Sequence, residues 1–102
     1  MKIELIYDVG CPNIPNARDM LTKAISNLRL ETQWIEWDRA ASDSPLYVQQ
    51  YGSPTILVDG QDIVPQGSSG NSCRIYRDSN GSIIKAPPYE NLIQALENSV
   101  SK

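Results

Sequence analysis

A helix-forming segment lies between two strand-forming segments at the start of the chain, and this order constrains the fold more than any other feature. Lys2–Tyr7 is a run of β-forming residues that places Ile3, Leu5 and Tyr7 on one face and Ile6 on the other. Thr32–Trp37 is rich in aromatic and β-branched residues. Between these segments, apolar residues recur at spacings of three and four, which predicts an amphipathic helix. Its apolar stripe comprises Ile14, Ala17, Leu21, Ala24, Ile25 and Leu28. Two strands joined by a helical crossover are expected to pair in parallel.

The middle of the chain predicts an antiparallel pair. Thr55–Val58 has the composition of a strand, and Asp59-Gly60 is a tight-turn signal before a second strand over Gln61–Val64. A short helix over Ser44–Tyr51, with Pro45 at its first position, is predicted to connect the two halves. We therefore expect one α/β domain over residues 1–102, with the order β-α-β-α-β-β-α and a central mixed sheet flanked by helices.

The last third of the chain is less regular. Gln66–Ser72 has the composition of a flexible loop. The segments Arg74–Tyr76 and Ser82–Lys85 flank Asp78-Ser79-Asn80-Gly81, and they form either a small extra hairpin or a structured loop. An amphipathic C-terminal helix is predicted after Pro87 and Pro88. Its apolar positions are Tyr89, Leu92, Ile93, Leu96 and Val100.

Four aromatic residues carry expectations about packing. Trp34 and Trp37 are separated by an odd number of residues, so in one strand they lie on opposite faces. We expect one of them in the core and the other partly exposed. Tyr47 and Tyr51 are spaced as neighbours on a helix, and residues in that pattern are more often packing residues than ligand contacts.

Charge and composition narrow the classes of function. The chain has 12 acidic and 9 basic residues, with the basic ones scattered, so neither nucleic-acid nor membrane-surface binding is expected. No apolar run has the length of a membrane span, and the N-terminal segment does not resemble a signal peptide, which predicts a cytoplasmic protein. The chain contains 0 His, which excludes Ser-His and Cys-His catalysis. Its 2 Cys cannot on their own supply the four ligands of a structural zinc or iron-sulfur site, although an oligomer or an added thiol could complete one. No resident metal and no cofactor is predicted.

Thiol chemistry is the remaining candidate. Cys11 follows the turn-forming residues Asp8-Val9-Gly10 and precedes the first helix, for which Asn13 is a candidate cap. Unpaired backbone N–H groups and the helix dipole near such a position favour the thiolate form. The alternative is that Cys11 is a small apolar residue that fills a strand-helix junction.

Two segments resemble motifs of the thioredoxin superfamily: V-G-C-P-N-I around Cys11 and Y-G-S-P-T-I-L-V-D-G around Pro54. Together with the order of the elements, they make the chain similar to this superfamily over nearly its whole length. The Gly10–Asn13 start and a late S-C-R-x-Y segment at 72–76 resemble the small glutaredoxin-like or mercury-resistance-associated members. The resemblance implies that Cys11 is the nucleophile and that Ser53-Pro54 is a cis peptide opposite it. This chain departs from the C-x-x-C pattern, because Ile14 stands where the second cysteine would be.

The resemblance implies a thiol-dependent oxidoreductase in which Pro54 and the Thr55 backbone orient the substrate. Cys73 is a candidate resolving thiol, and a purely structural Cys11–Cys73 disulfide is a further alternative. Further candidate substrate-binding residues are Pro12, Asn13, Ser53 and Arg74. Arg74 would stabilise a thiolate or bind the carboxylate of glutathione, although solvated surface arginines are commoner. Cys73 is alternatively an isolated exposed thiol or a packed residue. The expected partner is a disulfide-bearing or thiol-bearing protein, or a small thiol such as glutathione.

Two other functions stay open at this point. The first is a non-enzymatic thiol module that binds glutathione or a soft metal such as Hg(II), for which thiolate is the preferred type of ligand. The second is an interaction domain without an active thiol.

Overall fold

A computed structural model describes residues 1–64, 76–77, 80–84 and 87–100 of the chain. Two α-helices, one 3₁₀-helix and six short strands are formed by these residues. In chain order they are β1 (Ile3–Tyr7), α1 (Ile14–Asn27), β2 (Trp34–Asp38), the 3₁₀-helix (Leu46–Gln50), β3 (Thr55–Val58), β4 (Gln61–Asp62), β5 (Tyr76–Arg77), β6 (Ile83–Ile84) and α2 (Tyr89–Val100). No helix in the described part of the chain is both long enough and apolar enough to cross a membrane.

The central sheet is mixed, as predicted. Its strand order is β2-β1-β3-β4, with β1 parallel to β2 and antiparallel to β3. The crossover through α1 produces the parallel pair, and the Asp59-Gly60 turn produces the antiparallel β3-β4 pair. Asp59 and Gly60 have φ angles of 52° and 84°, a conformation that Asp and Gly adopt more readily than most residues.

One face of the sheet carries the main core. Alternate residues of β1, Ile3 and Leu5, contact the apolar stripes of α1 and α2. The fully buried members of this layer include Leu21 from α1 and Leu92 and Leu96 from α2. The predicted amphipathic character of both helices is therefore confirmed.

The opposite face carries a smaller apolar cluster. Ile6, Leu57 and Val48 form its buried centre, and Trp37, Tyr47 and Tyr51 pack around it. The predictions that Tyr47 and Tyr51 are packing residues and that the two tryptophans lie on opposite faces are confirmed, since Trp34 packs with the helices. The expectation that one tryptophan belongs to the core was wrong, because both are only half-buried.

The predicted second helix over Ser44–Tyr51 was wrong, because this segment forms only the 3₁₀-helix Leu46–Gln50. Pro45 has an extended backbone, with φ −59° and ψ 150°, so it precedes the helix and does not begin it. The N–H of Val48 donates to the Pro45 carbonyl and the N–H of Tyr51 donates to the Val48 carbonyl, both over three residues. The helix ends before Tyr51, and the buried segment that leads into β3 begins at Gly52.

Two other boundaries differ from the sequence prediction. The strand predicted over Gln61–Val64 ends at Asp62, because the Asp62 carboxylate accepts a 2.9 Å hydrogen bond from the N–H of Val64 and turns the chain. For the last third of the chain, either a hairpin or a loop was expected. The structure shows a hairpin, because β5 and β6 pair antiparallel in a separate two-stranded sheet.

Candidate thiol site

A tight turn follows β1 and leads to Cys11. The N–H of Cys11 donates a 3.0 Å hydrogen bond to the carbonyl of Asp8, which closes the turn. Gly10 has a φ of +91°, a conformation that residues with a side chain rarely adopt. The turn therefore depends on glycine at this position, and it folds Cys11 back towards the end of the sheet.

The first helix begins at Ile14, within the stretch where its start was predicted. Asn13 occupies the cap position, as predicted, but its side chain makes no capping hydrogen bond. The Asn13 carbonyl accepts the first hydrogen bond of the helix, from the N–H of Ala17 at 3.2 Å. Cys11 thus lies two residues before the cap, outside the first helical turn, where the dipole has its largest effect.

The segment that leads into β3 lies beside this turn. The Oγ of Ser53 accepts a hydrogen bond of 2.9 Å from the N–H of Asp8. The Ser53-Pro54 peptide bond is cis. The Oγ1 of Thr55 donates to the Gly52 carbonyl at 2.7 Å. The hydroxyls of Ser53 and Thr55, two of the predicted substrate-binding residues, are therefore used for internal hydrogen bonds.

Burial limits how a reactant reaches this site. Cys11 is 7% exposed, while its chain neighbours Gly10 and Pro12 are exposed. Ser53, Pro54 and Thr55 are all buried. The exposed surface next to the thiol is therefore formed by Gly10 and Pro12.

An ion pair beside the turn was not anticipated from the sequence. The guanidinium Nη1 of Arg39 donates to both carboxylate oxygens of Asp8, at 3.0 and 2.8 Å. The N–H of Arg39 also donates to the Tyr7 carbonyl at 2.8 Å. Asp8 follows β1 and Arg39 follows β2, and parallel neighbours end at the same edge of a sheet, so the sequence did contain a signal for this pair. The ion pair links Asp8, at the start of the turn, to the segment that follows β2.

Two of the predicted site residues, Cys73 and Arg74, lie outside the described residues. Among the described residues, no group of three or more His, Cys, Asp or Glu side chains is arranged to hold a metal ion.

A buried carboxylate was also missed. Glu4 in β1 is 1% exposed, and its Oε2 accepts hydrogen bonds from the Trp37 indole at 2.8 Å and from the Tyr47 hydroxyl. The hydrogen bond to this carboxylate raises the pKa of Tyr47 to about 12. The sequence did contain a signal for the burial of Glu4, because residue 4 shares a face of the strand with the apolar Ile6.

No protein-family model, curated protein or solved structure matches the chain.

Proposed function

We propose that the protein is a thiol-dependent oxidoreductase of the thioredoxin-like class, with Cys11 as its nucleophile. The observation that carries the proposal is the hydrogen bond from the Asp8 N–H to the Ser53 Oγ. It joins the turn that ends at Cys11 to the Ser53-Pro54 segment, so the two motifs of the resemblance lie side by side. The mixed sheet, the helical crossover and the closing helix support a thioredoxin-like topology.

The chemistry is thiol-disulfide exchange. The Cys11 thiolate attacks one sulfur of a substrate disulfide, forms a mixed disulfide with it and releases the other sulfur as a thiolate. A second thiol then attacks the Cys11 sulfur and releases the remaining half of the substrate, which has gained two electrons in total. Cys73 is the proposed second thiol, and the resulting Cys11–Cys73 disulfide is reduced by two equivalents of a small thiol such as glutathione.

The surroundings of the thiol suit a small or extended substrate. Pro12 is exposed beside the buried Cys11, and Asn13 is half-buried. The proposed role of Pro54 and the Thr55 backbone is to line the approach to the thiol. Arg74 is proposed to bind a carboxylate of the substrate.

Alkylation tests whether Cys11 is activated. In the C73S variant, Cys11 is the remaining one of the chain's 2 Cys, so iodoacetamide reports on it alone. We expect iodoacetamide to alkylate Cys11 in the folded protein, at a rate well above the rate at which the protein unfolds. No alkylation until the protein unfolds would identify Cys11 as a packed residue and contradict the proposal.

Turnover tests the exchange reaction itself. Reduction of a small dialkyl disulfide by glutathione should be accelerated by the native protein and should fall to the uncatalysed rate in C11S. The C73S variant is the matched control: loss of activity assigns the resolving step to Cys73, and retained activity assigns it to glutathione. Mild oxidation should remove two hydrogens from the native protein, detectable by mass spectrometry, if the two cysteines couple. If C11S stays active, Cys11 is not the nucleophile.

The alternative functions give different results in the same variants. A soft-metal module would bind Hg(II) stoichiometrically through Cys11 and show no turnover. An interaction domain without an active thiol would show neither property.

A further inference from the structure

The late hairpin contains an asparagine that is followed by glycine. Asn80 and Gly81 lie in the segment that joins β5 to β6, and no other asparagine in the sequence precedes a glycine. Asn80 is part of a turn, and both residues are exposed. Water therefore has access to the Asn80 side chain and to the peptide bond that follows it.

Such a pair of residues reacts without an enzyme. The backbone nitrogen of Gly81 loses its proton and attacks the carbonyl carbon of the Asn80 side chain. A new C–N bond forms, the C–N bond of the side-chain amide breaks, and ammonia leaves, so the product is a cyclic succinimide. Water then opens the ring at one of its two carbonyls. The result is either an aspartyl residue or an isoaspartyl residue, whose backbone contains one additional carbon atom.

The conformation of the turn keeps glycine at position 81. Gly81 has a φ of +83°, in the region that residues with a Cβ rarely adopt. The same lack of a Cβ removes the steric hindrance that any other residue would place beside the attacking nitrogen. The fold therefore retains, directly after Asn80, the residue that hinders ring closure least.

A comparison with Asn16 shows why exposure alone does not decide reactivity. Asn16 is exposed like Asn80, but it lies in α1, where the N–H of Ala17 donates to the Asn13 carbonyl at 3.2 Å. A helical side chain tilts towards the N-terminus of its helix, whereas the nitrogen of the next residue lies on the C-terminal side. That nitrogen reaches the Asn16 side chain only when the helix opens locally.

From the exposed asparagine-glycine pair in this turn, we propose that the folded protein carries a site of spontaneous deamidation at Asn80. The modification adds one negative charge to a chain whose net charge is −3. In the isoaspartyl form, the additional carbon atom lengthens the connection between Arg77 and Ile83, the backbone pair nearest the turn. The site is independent of the proposed thiol function, because no cysteine takes part in the reaction.

Incubation of the native protein at neutral and mildly alkaline pH tests the proposal. Peptide mass spectrometry should locate the replacement of NH₂ by OH at Asn80, at a rate that rises with pH because the attacking nitrogen must lose its proton. Methyl transfer from labelled S-adenosylmethionine by an isoaspartyl methyltransferase should detect the isoaspartyl fraction. Asn80→Gln should abolish both signals, since the longer side chain would have to close a larger ring.

Ala17→Gly is the matched control, because it places glycine after the equally exposed Asn16 inside α1. In this folded variant, Asn80 should react roughly tenfold or more faster than Asn16, which reacts only on local opening of the helix. In concentrated urea, the two sites should react at similar rates.

Two results would overturn the proposal. Equal rates at Asn80 and Asn16 in folded Ala17→Gly would show that the turn gives the attacking nitrogen no better access than the helix does. A rate at Asn80 more than about tenfold slower in the folded native protein than in urea would show that the turn protects it. If Ala17→Gly does not fold, this second comparison still decides the question.

Discussion

Ser53 and Asp8 are joined across the end of the sheet by a 2.9 Å hydrogen bond from the Asp8 N–H to the Ser53 hydroxyl oxygen. The two residues are 45 positions apart in the chain, and Ser53 is 0% exposed. One buried hydroxyl therefore fixes the relation between the turn that carries Cys11 and the segment that begins β3.

Replacing Ser53 with alanine should destabilise the protein by about 1 to 3 kcal/mol, because it leaves the Asp8 N–H without its acceptor. Urea unfolding of S53A measures this loss. The control is S42A, at an exposed turn position, which should change the unfolding free energy by less than about 0.5 kcal/mol. Equal effects of the two substitutions would show that the hydroxyl does not hold the turn.

Two arginine-carboxylate pairs should contribute unequally to stability. The Arg39 side chain is 10% exposed where it meets Asp8, whereas Arg18 is 46% exposed where it meets Glu36. We expect R39M to cost roughly 1.5 to 3 kcal/mol, the range for hydrogen bonds to charged groups. R18M should cost about 0 to 1 kcal/mol, because solvent screens an exposed pair. Chemical denaturation of both variants is the measurement, and a larger loss in R18M would contradict this ranking.

The hydroxyl of Tyr47 should make stability fall at alkaline pH. Its hydrogen bond to the Glu4 carboxylate raises its pKa from 10.0 to about 12, since ionisation would place two negative charges together. Because the folded pKa lies above the unfolded one, this contribution is complete below pH 10 and is lost as the pH rises towards 12. Denaturant unfolding between pH 9 and 12 should show the decline, and Y47F should reduce it. An absorbance titration of the native protein should also show one tyrosine ionising near pH 12 that is missing in Y47F.

Two leucines with opposite exposure test the assignment of the main core. Leu21 in α1 is 0% exposed, and L21A should cost about 2 to 5 kcal/mol through lost burial and a cavity. Leu46 begins the 3₁₀-helix and is 89% exposed, so L46A should lie within about 0.5 kcal/mol of the native protein. Thermal and urea unfolding provide the comparison. A substantial loss in L46A would mean that another surface covers this residue.

The strands and long helices were predictable because their signals are local. The apolar stripe from Ile14 to Leu28 and the Asp59-Gly60 turn determine their own segments, and the mixed sheet follows from them. The 3₁₀-helix was not predictable in this way, because Pro45 is compatible both with the first position of a helix and with the extended residue before one.

The candidate site was predictable only in part for a similar reason. The positions of Cys11 and Pro54 follow from the resemblance, but the contacts around them involve distant residues. The Asp8–Arg39 pair and the Glu4–Trp37 hydrogen bond each join residues more than thirty positions apart. Such contacts depend on strand register, which the periodicity of each segment does not fix on its own.

The alternation along β1 gives Glu4 a role in folding as well as in the folded protein. A slip of β1 by one residue against β2 and β3 would turn Ile3 and Leu5 away from the helices and would push the carboxylate in among Leu21 and Leu92. An ionised group in that apolar layer costs far more than the slipped pairing gains. The charge at position 4 therefore discriminates against misregistered sheets, and neutral polar or apolar substitutions there should widen the range of compact states that the chain visits while it folds.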